Sequence, residues 1–284
     1  MAKQRLAIIG LGYTGAAVAR LAAAQGWDVV ATSRNPEALT PPAGITVLPF
    51  SAAALAGASH VLMTAPPGAA GDPVLPAMAG AITGVWAGYL STTGVYGDRD
   101  GGWVDEDTPP APGADRSRRR LAAEQAWAAL AGRMAVDLFR VAGIYGPGRS
   151  ALDEARQARA RRIDKPDHAF GRIHRDDIAR AVLAAMGQSR QGLRVLNLTD
   201  DEAAPSADVI AEAARLLGQP PPPLVPFAEA WAGMSEMARS FWAENRRVAN
   251  AKTKAALGIA WRYPTYREGL AGILAEQGDD GPAE

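Results

Sequence analysis

The chain has no cysteine and only three histidines, His60, His168 and His174, in 284 residues. The first absence excludes disulfides, thiolate nucleophiles, zinc fingers and iron–sulfur ligation. The second leaves too little imidazole for a multi-histidine metal centre, so no metal is expected. An excess of either charge is also missing. Thirty Lys and Arg balance thirty Asp and Glu, and no overall positive field draws such a chain to nucleic acid or anionic lipid. Unbroken apolar runs of bilayer length are lacking too. The uncharged stretch from Ala38 to Gly71 is cut by Pro41, Pro42, Pro49, His60, Pro66 and Pro67, into pieces too short to span. The apolar region after Lys3 and Arg5 imitates a signal peptide, but Tyr13, Thr14 and three glycines interrupt it and no cleavage site follows. A soluble, cytoplasmic protein is expected, with neither membrane nor nucleic acid as partner.

What is present is enough apolar chain for a sizeable core: 48% hydrophobic against 21% charged residues. Short apolar runs separated by breakers predict strands at Arg5–Ile9, Asp28–Thr32, Ile45–Phe50, His60–Thr64, Trp86–Thr92, Ala135–Val141 and Arg194–Leu198. Such runs suit strands buried on both faces of a parallel sheet. Helices are expected at Ala16–Gln25, Arg116–Leu130, Asp177–Met186 and Ser206–Leu217. The alternation implies an α/β fold of the Rossmann type, a doubly wound parallel sheet with a smaller C-terminal substrate lobe. Residues 1–200 read as the dinucleotide-binding domain, with 144–172 inserted toward a substrate cleft. Residues 201–276 read as the C-terminal lobe, entered through the stiff Pro220–Pro223 stretch and rich in Trp231, Phe241, Trp242, Trp261 and Tyr263; residues 277–284 read as a polar, frayed tail.

Gly10-Leu11-Gly12-Tyr13-Thr14-Gly15 lies between the first strand and the first helix. In that context Gly10 permits the tight turn, Gly12 lets backbone approach a pyrophosphate, and Gly15 allows close helix–strand packing. The helix start offers unpaired N–H groups and a positive dipole end to the phosphates. The end of the second strand selects the nucleotide. An NAD site places an acid about 20 residues on; here the segment is Thr32-Ser33-Arg34-Asn35. Arg34 can pair with a 2′-phosphate through its planar fork and Ser33 can donate to it. NADP is therefore favoured, with NAD as the lesser possibility. Cofactor contacts are expected from Gly10, Gly12, Tyr13, Thr14, Gly15, Ser33, Arg34, Ala65 and Arg120.

Four blocks carry a resemblance: the glycine turn, Leu90 to Gly97 (LSTTGVYG), Phe139 to Gly148 (FRVAGIYGPG) and Arg172 to Ala179 (RIHRDDIA). With them the chain resembles the extended or atypical short-chain dehydrogenase/reductases, the group labelled NAD-dependent epimerase/dehydratase. The resemblance implies that Thr92, four residues before Tyr96, bonds the reacting oxygen of the substrate. It also implies a tyrosine acid/base four residues before a lysine on the next helix. Arg116 and Arg120 stand at those two positions. Arg120 can still hold the nicotinamide ribose, but a guanidinium is never deprotonated and cannot replace a phenol. Tyr96, Tyr145 or a carboxylate of Asp105-Glu106-Asp107 are the candidate substitutes. The Asp-Glu pair of the sugar-nucleotide dehydratases is replaced by Thr93 and Gly94, which excludes that mechanism.

The expected function is an NADP-dependent oxidoreductase or epimerase acting on a carbonyl, hydroxyl or sugar-nucleotide-like small molecule. Thr92, Tyr96 and Arg120 are its candidate catalytic residues. The alternative is an inactive NADP(H)-binding sensor or scaffold. Arg116–Arg120 can clamp an anionic substrate, whereas Arg156–Lys165 reads as a solvated face. His174 reads as structural, and Asp176 and Asp177 as caps of the helix that follows. The helix bearing Arg118, Arg119, Glu124 and Gln125 shows no clear apolar seam, which leaves monomer or homodimer open.

Overall fold

The computed structural model describes residues 4–279 and opens with β1 (Arg5–Ile9), α1 (Tyr13–Ala24), β2 (Asp28–Ser33), β3 (Ile45–Pro49) and β4 (His60–Met63). A one-turn α2 (Leu75–Met78) leads to β5 (Trp86–Thr92), the short β6 (Trp103–Val104), α3 (Asp115–Ala128) and β7 (Ala135–Val141). Next come β8 (Gly143–Tyr145), α4 (Ala151–Arg156), β9 (Arg162–Asp164), β10 (Arg172–His174), α5 (Arg175–Met186), β11 (Leu193–Leu198) and α6 (Ser206–Leu216). The chain ends with β12 (Leu224–Pro226), α7 (Phe227–Ala232), α8 (Glu236–Trp242), β13 (Arg247–Val248), α9 (Ala251–Leu257) and α10 (Tyr266–Asp279).

The seven strands expected from apolar runs form one sheet in the order β3-β2-β1-β4-β5-β7-β11, and every pairing is parallel. Alternation along each strand feeds two cores. Leu6, Ile8, Val29, Leu62 and Phe139 pack with α1 and α5 on one face. Ala7, Ile9, Val61, Tyr89 and Leu138 pack with Trp127 of α3 on the other. The strand order reverses between β1 and β4, so their carboxyl ends open the crevice in which such sheets bind ligands.

Polar ties set the sheet's far half. Asp137 of β7, buried, accepts from Trp86 Nε1 at 2.7 Å and from Arg194 Nε at 2.7 Å, joining β5, β7 and β11. The exposed side of edge strand β11 is closed by Thr253, whose hydroxyl accepts from Asn197 N at 2.7 Å, a device that blunts an edge. Smaller pairs, β10–β8, β12–β9 and β13–β6, stitch the segments after β7 and β11 to the rest.

Three expectations are corrected. The first helix begins at Tyr13, since Gly12 is already its N-cap. α5 is capped by His174, whose Nδ1 accepts from Asp176 N at 3.2 Å, and not by Asp176 or Asp177. The segment Gln277–Glu284, expected as a tail, is helical as far as Asp279; residues 280–284 lie outside the described ones. Among the described residues no helix is long and apolar enough to cross a membrane.

Candidate functional site

Glycine is needed at Gly10 because φ is +103° there and a Cβ would lie 2.9 Å from Thr64 Oγ1. At Gly15 a Cβ would come within 2.6 Å of Gly10 O, so the helix can approach the strand only without a side chain. Gly12 differs: a Cβ there would meet nothing within 4 Å. Its space is open on the solvent side of the α1 start, where Tyr13, Thr14 and Gly15 have N–H groups without intrahelical acceptors. The turn is held from below by Leu11 N donating to Thr32 O at 2.7 Å and Gly10 N donating to Thr32 Oγ1 at 3.1 Å. These features make a cradle that a diphosphate fits. Ala65 follows β4 beside this turn, its N–H bonded to Ile9 O at 3.2 Å.

At the end of β2, Ser33 Oγ accepts from Asn35 N at 3.2 Å. Arg34 is exposed and has no hydrogen bond or ion pair among the described residues. Its five donors are unspent beside the glycine turn. Across the crevice, Tyr13 donates its hydroxyl to Pro147 O at 3.0 Å, tying the start of α1 to the loop after β8. Burial raises the pKa of Tyr13, with Arg175 partly offsetting the effect. The phenol is thus a strut between the blocks, a role that its place inside the glycine motif does not signal.

The carboxyl end of β5 brings Thr92, Gly94 and α3 together. Thr92 is half-buried and its Oγ1 accepts from Gly94 N at 3.1 Å. That bond leaves the hydroxyl proton free for a ligand oxygen. Arg120 donates to Leu90 O at 2.5 Å and lies 5.9 Å from the Tyr89 ring. Arg116, one turn earlier, stacks on the Phe241 ring, with its guanidinium carbon 3.7 Å from the centroid. Arg246 donates to Gly97 O at 2.8 Å and to Glu244 at 2.7 Å, closing the same corner from the C-terminal segment. Sequence reasoning misses Phe241, Glu244 and Arg246, because nothing local marks them as neighbours of Arg116.

The candidate acid/bases each have partners within the fold. Tyr96 is fully buried, donates to Asn197 Oδ1 at 2.7 Å, and lies under the Arg140 guanidinium at 4.7 Å. Arg140 is in turn locked by both oxygens of buried Glu124. Burial drives the Tyr96 pKa up, and its hydroxyl is engaged inside the core. Tyr145 is likewise buried, with its hydroxyl directed to Thr265 O at 3.4 Å, and burial raises its pKa strongly. Asp105 and Asp107 pair with Lys252, and Glu106 accepts from Thr253 at 2.6 Å. All three serve the outer edge of β11, not the end of β5. His174 is buried and burial lowers its pKa to about 4. Buried Asp177 accepts from Arg262 N and Tyr263 N at 2.7 and 2.9 Å, anchoring the loop before α10.

Comparison with known proteins divides along the same line. Residues 5–83 match the family described as NADP oxidoreductase, coenzyme F420-dependent. That match ends before Thr92 and covers only β1 to α2. Among solved structures, a functionally unknown conserved protein from Silicibacter pomeroyi is 43% identical, with a TM-score of 0.89 over 96% of this chain and 99% of that one. MoeE5 in complex with UDP-glucuronic acid and NAD shares the fold, with a TM-score of 0.77 at 21% identity over 97% of this chain and 99% of its own. A curated relative, the 3-diazoavenalumate denitrifying reductase of a Streptomyces species, is 31% identical over 178 residues. The match takes in 59% of this chain and spans only 58% of that protein's length. The fold is therefore that of NAD(P)-binding oxidoreductases and epimerases.

Proposed function

We propose that this chain, whose fold is that of epimerase/dehydratase-like NAD(P)-binding proteins, is an NADP(H)-dependent reductase of a small molecule. The observation that carries the proposal is the open cradle at Gly12 beside the unpaired Arg34. Gly10, Gly12, Tyr13, Thr14 and Gly15 would receive the diphosphate. Ser33 and Arg34 would take the 2′-phosphate, and Ala65 and Arg120 would flank the ribose and nicotinamide. When bound, the nicotinamide supplies hydride. Thr92 would bond the reacting end of the substrate through its free proton.

The direction follows from what is missing. Oxidising an alcohol, the first half of a keto-intermediate epimerisation, needs a base for the hydroxyl proton. The position that should hold it carries Arg116, which stays protonated, and the nearby tyrosines are buried. Reduction of an activated electrophile makes no such demand, since water can deliver the closing proton. The Streptomyces relative's name, a reductase, supports the same direction. Residues 1–200 are assigned to the cofactor and 201–276 to the substrate, in a cytoplasmic monomer or homodimer.

The second reading, a sensor that binds NADP(H) without turnover, is favoured by the loss of the phenol. Adding a panel of carbonyl and other electrophilic acceptors to the NADPH-loaded protein separates the two. Decay of the reduced-nicotinamide absorbance with at least one acceptor is expected. Tight binding with no decay across the panel would replace the reductase reading by the sensor.

A further inference from the structure

Of the guanidiniums on α3 and the neighbouring Arg246, Arg116 and Arg119 have no hydrogen bond or ion pair among the described residues, and of these two Arg119 is exposed. Arg118 is paired with Asp115, Arg120 donates to Leu90 O, and Arg246 is matched by Glu244 and Gly97 O. Arg116 is half-buried, and among the described residues no hydrogen bond or ion pair uses its five donors. Its position is set by Ser117, the next residue, which lies so close to Gly94 that a Cβ there would be 2.9 Å from Ser117 Oγ. Gly94 is the residue that Thr92 Oγ1 bonds. Arg116 is thus next in sequence to a residue that touches the turn held by Thr92, and its guanidinium lies on Phe241.

The surface beside it is apolar. Phe241 is 53% exposed although Arg116 covers one side of its ring, and Met237, one turn earlier on α8, is 69% exposed. This helix is not loose: Trp242 is buried among His168, Phe170 and Phe227. Phe241 is thus held beside Arg116 by a fixed neighbour. Charge in the corner is limited, because Glu244 accompanies Arg246 and its Oε1 is buried without a hydrogen-bond partner. Burial lowers the pKa of Arg116, with Glu244 opposing and Arg246 reinforcing the effect, and an incoming anion relieves that balance.

We propose that Arg116 and Phe241 form the substrate's anion site, which takes a single carboxylate carried on a flat, unsaturated body. The inference rests on the reductase reading and names the substrate class for that same crevice. A planar carboxylate matches the guanidinium fork with two parallel bonds, and the conjugated body lies along Phe241 and Met237. One unmatched cation next to a buried carboxylate suits a monoanion better than a phosphoryl group carrying two charges. The arginine at the tyrosine position then has a use in binding that does not require it to move a proton.

The test is equilibrium binding of cinnamate to the NADP-loaded full chain, beside the neutral cinnamamide, phenyl phosphate and UDP-glucose. NADPH binding and thermal stability are measured on every variant. Saturable cinnamate binding is expected, weakened at least about 10-fold by Arg116→Gln and several-fold by Phe241→Leu, with NADPH affinity unchanged. Cinnamamide should bind weakly and respond little to Arg116→Gln. Cinnamate binding that is absent, or indifferent to Arg116→Gln while NADPH still binds, overturns the inference and leaves the cofactor reading intact. Tighter, Arg116-dependent binding of phenyl phosphate or UDP-glucose overturns the carboxylate assignment. Failure to bind NADPH at all overturns the cofactor reading, and this inference with it.

Discussion

The two ends of the crevice contrast. Around Gly10–Gly15 and Arg34 the backbone is shaped for a ligand and the nearby cation is unspent. Around Thr92 and α3, the polar side chains are mostly committed to the fold. Arg116 stands where the resemblance implies a phenol, Tyr96 holds Asn197, and Glu124 holds Arg140. The first region is laid down by backbone geometry, which a few glycines specify. The second depends on side chains from remote segments, and these can be exchanged while the sheet stays the same. A fold can thus keep its cofactor site and change its chemistry.

The contrast can be broken most severely from beneath the second region. Glu124→Ala leaves the Arg140 guanidinium buried without its carboxylate, and a loss of about 3–5 kcal/mol is expected, read as a fall in the chemical-denaturation midpoint. A loss below about 1 kcal/mol would mean that this pair is not the rigid floor described. Next in size is Thr92→Val, which should slow NADPH turnover roughly 10-fold, with recovery in Thr92→Ser and NADPH affinity unchanged. Equal rates in all three proteins would remove Thr92 from the site.

Tyr96→Phe sharpens the comparison by separating stability from activity. It leaves the Asn197 amide oxygen unsatisfied in the core, so about 1–3 kcal/mol should be lost while turnover is retained. Abolished turnover in a folded variant would restore Tyr96 as an acid/base. A pH-dependent effect concerns buried His168, whose pKa burial lowers to about 4. The unfolded chain takes up a proton below the ordinary histidine value and the folded one does not until near pH 4, so stability is lost on acidification through that window. Relative to His168→Phe, the wild-type protein should lose thermal stability as pH falls from about 6.5 to 4; a constant difference would contradict this.

The sheet was legible because each of its strands is an apolar run bounded by breakers, and burial on both faces requires that composition. The glycine turn was legible for a related reason: close backbone approach admits little else. The short pairs β6–β13 and β9–β12 were not, since two or three residues carry no period and their partners lie far along the chain. The surroundings of Tyr96 were not legible for the same reason. Its motif places it next to Thr92, but Arg140 and Asn197, on two other strands, turn it into the core. The acidic Asp105–Asp107 segment was read toward the crevice, whereas Lys252 and Thr253 of α9 draw it to the sheet's edge.

A calorimetric titration of the protein and its Arg34→Ala variant with NADPH and NADH tests the cofactor site most directly. NADPH is expected to bind the unaltered protein more tightly, and Arg34→Ala to weaken NADPH roughly 10- to 100-fold while leaving NADH nearly unchanged. No heat with either nucleotide, or equal affinities that the variant does not alter, would contradict that expectation.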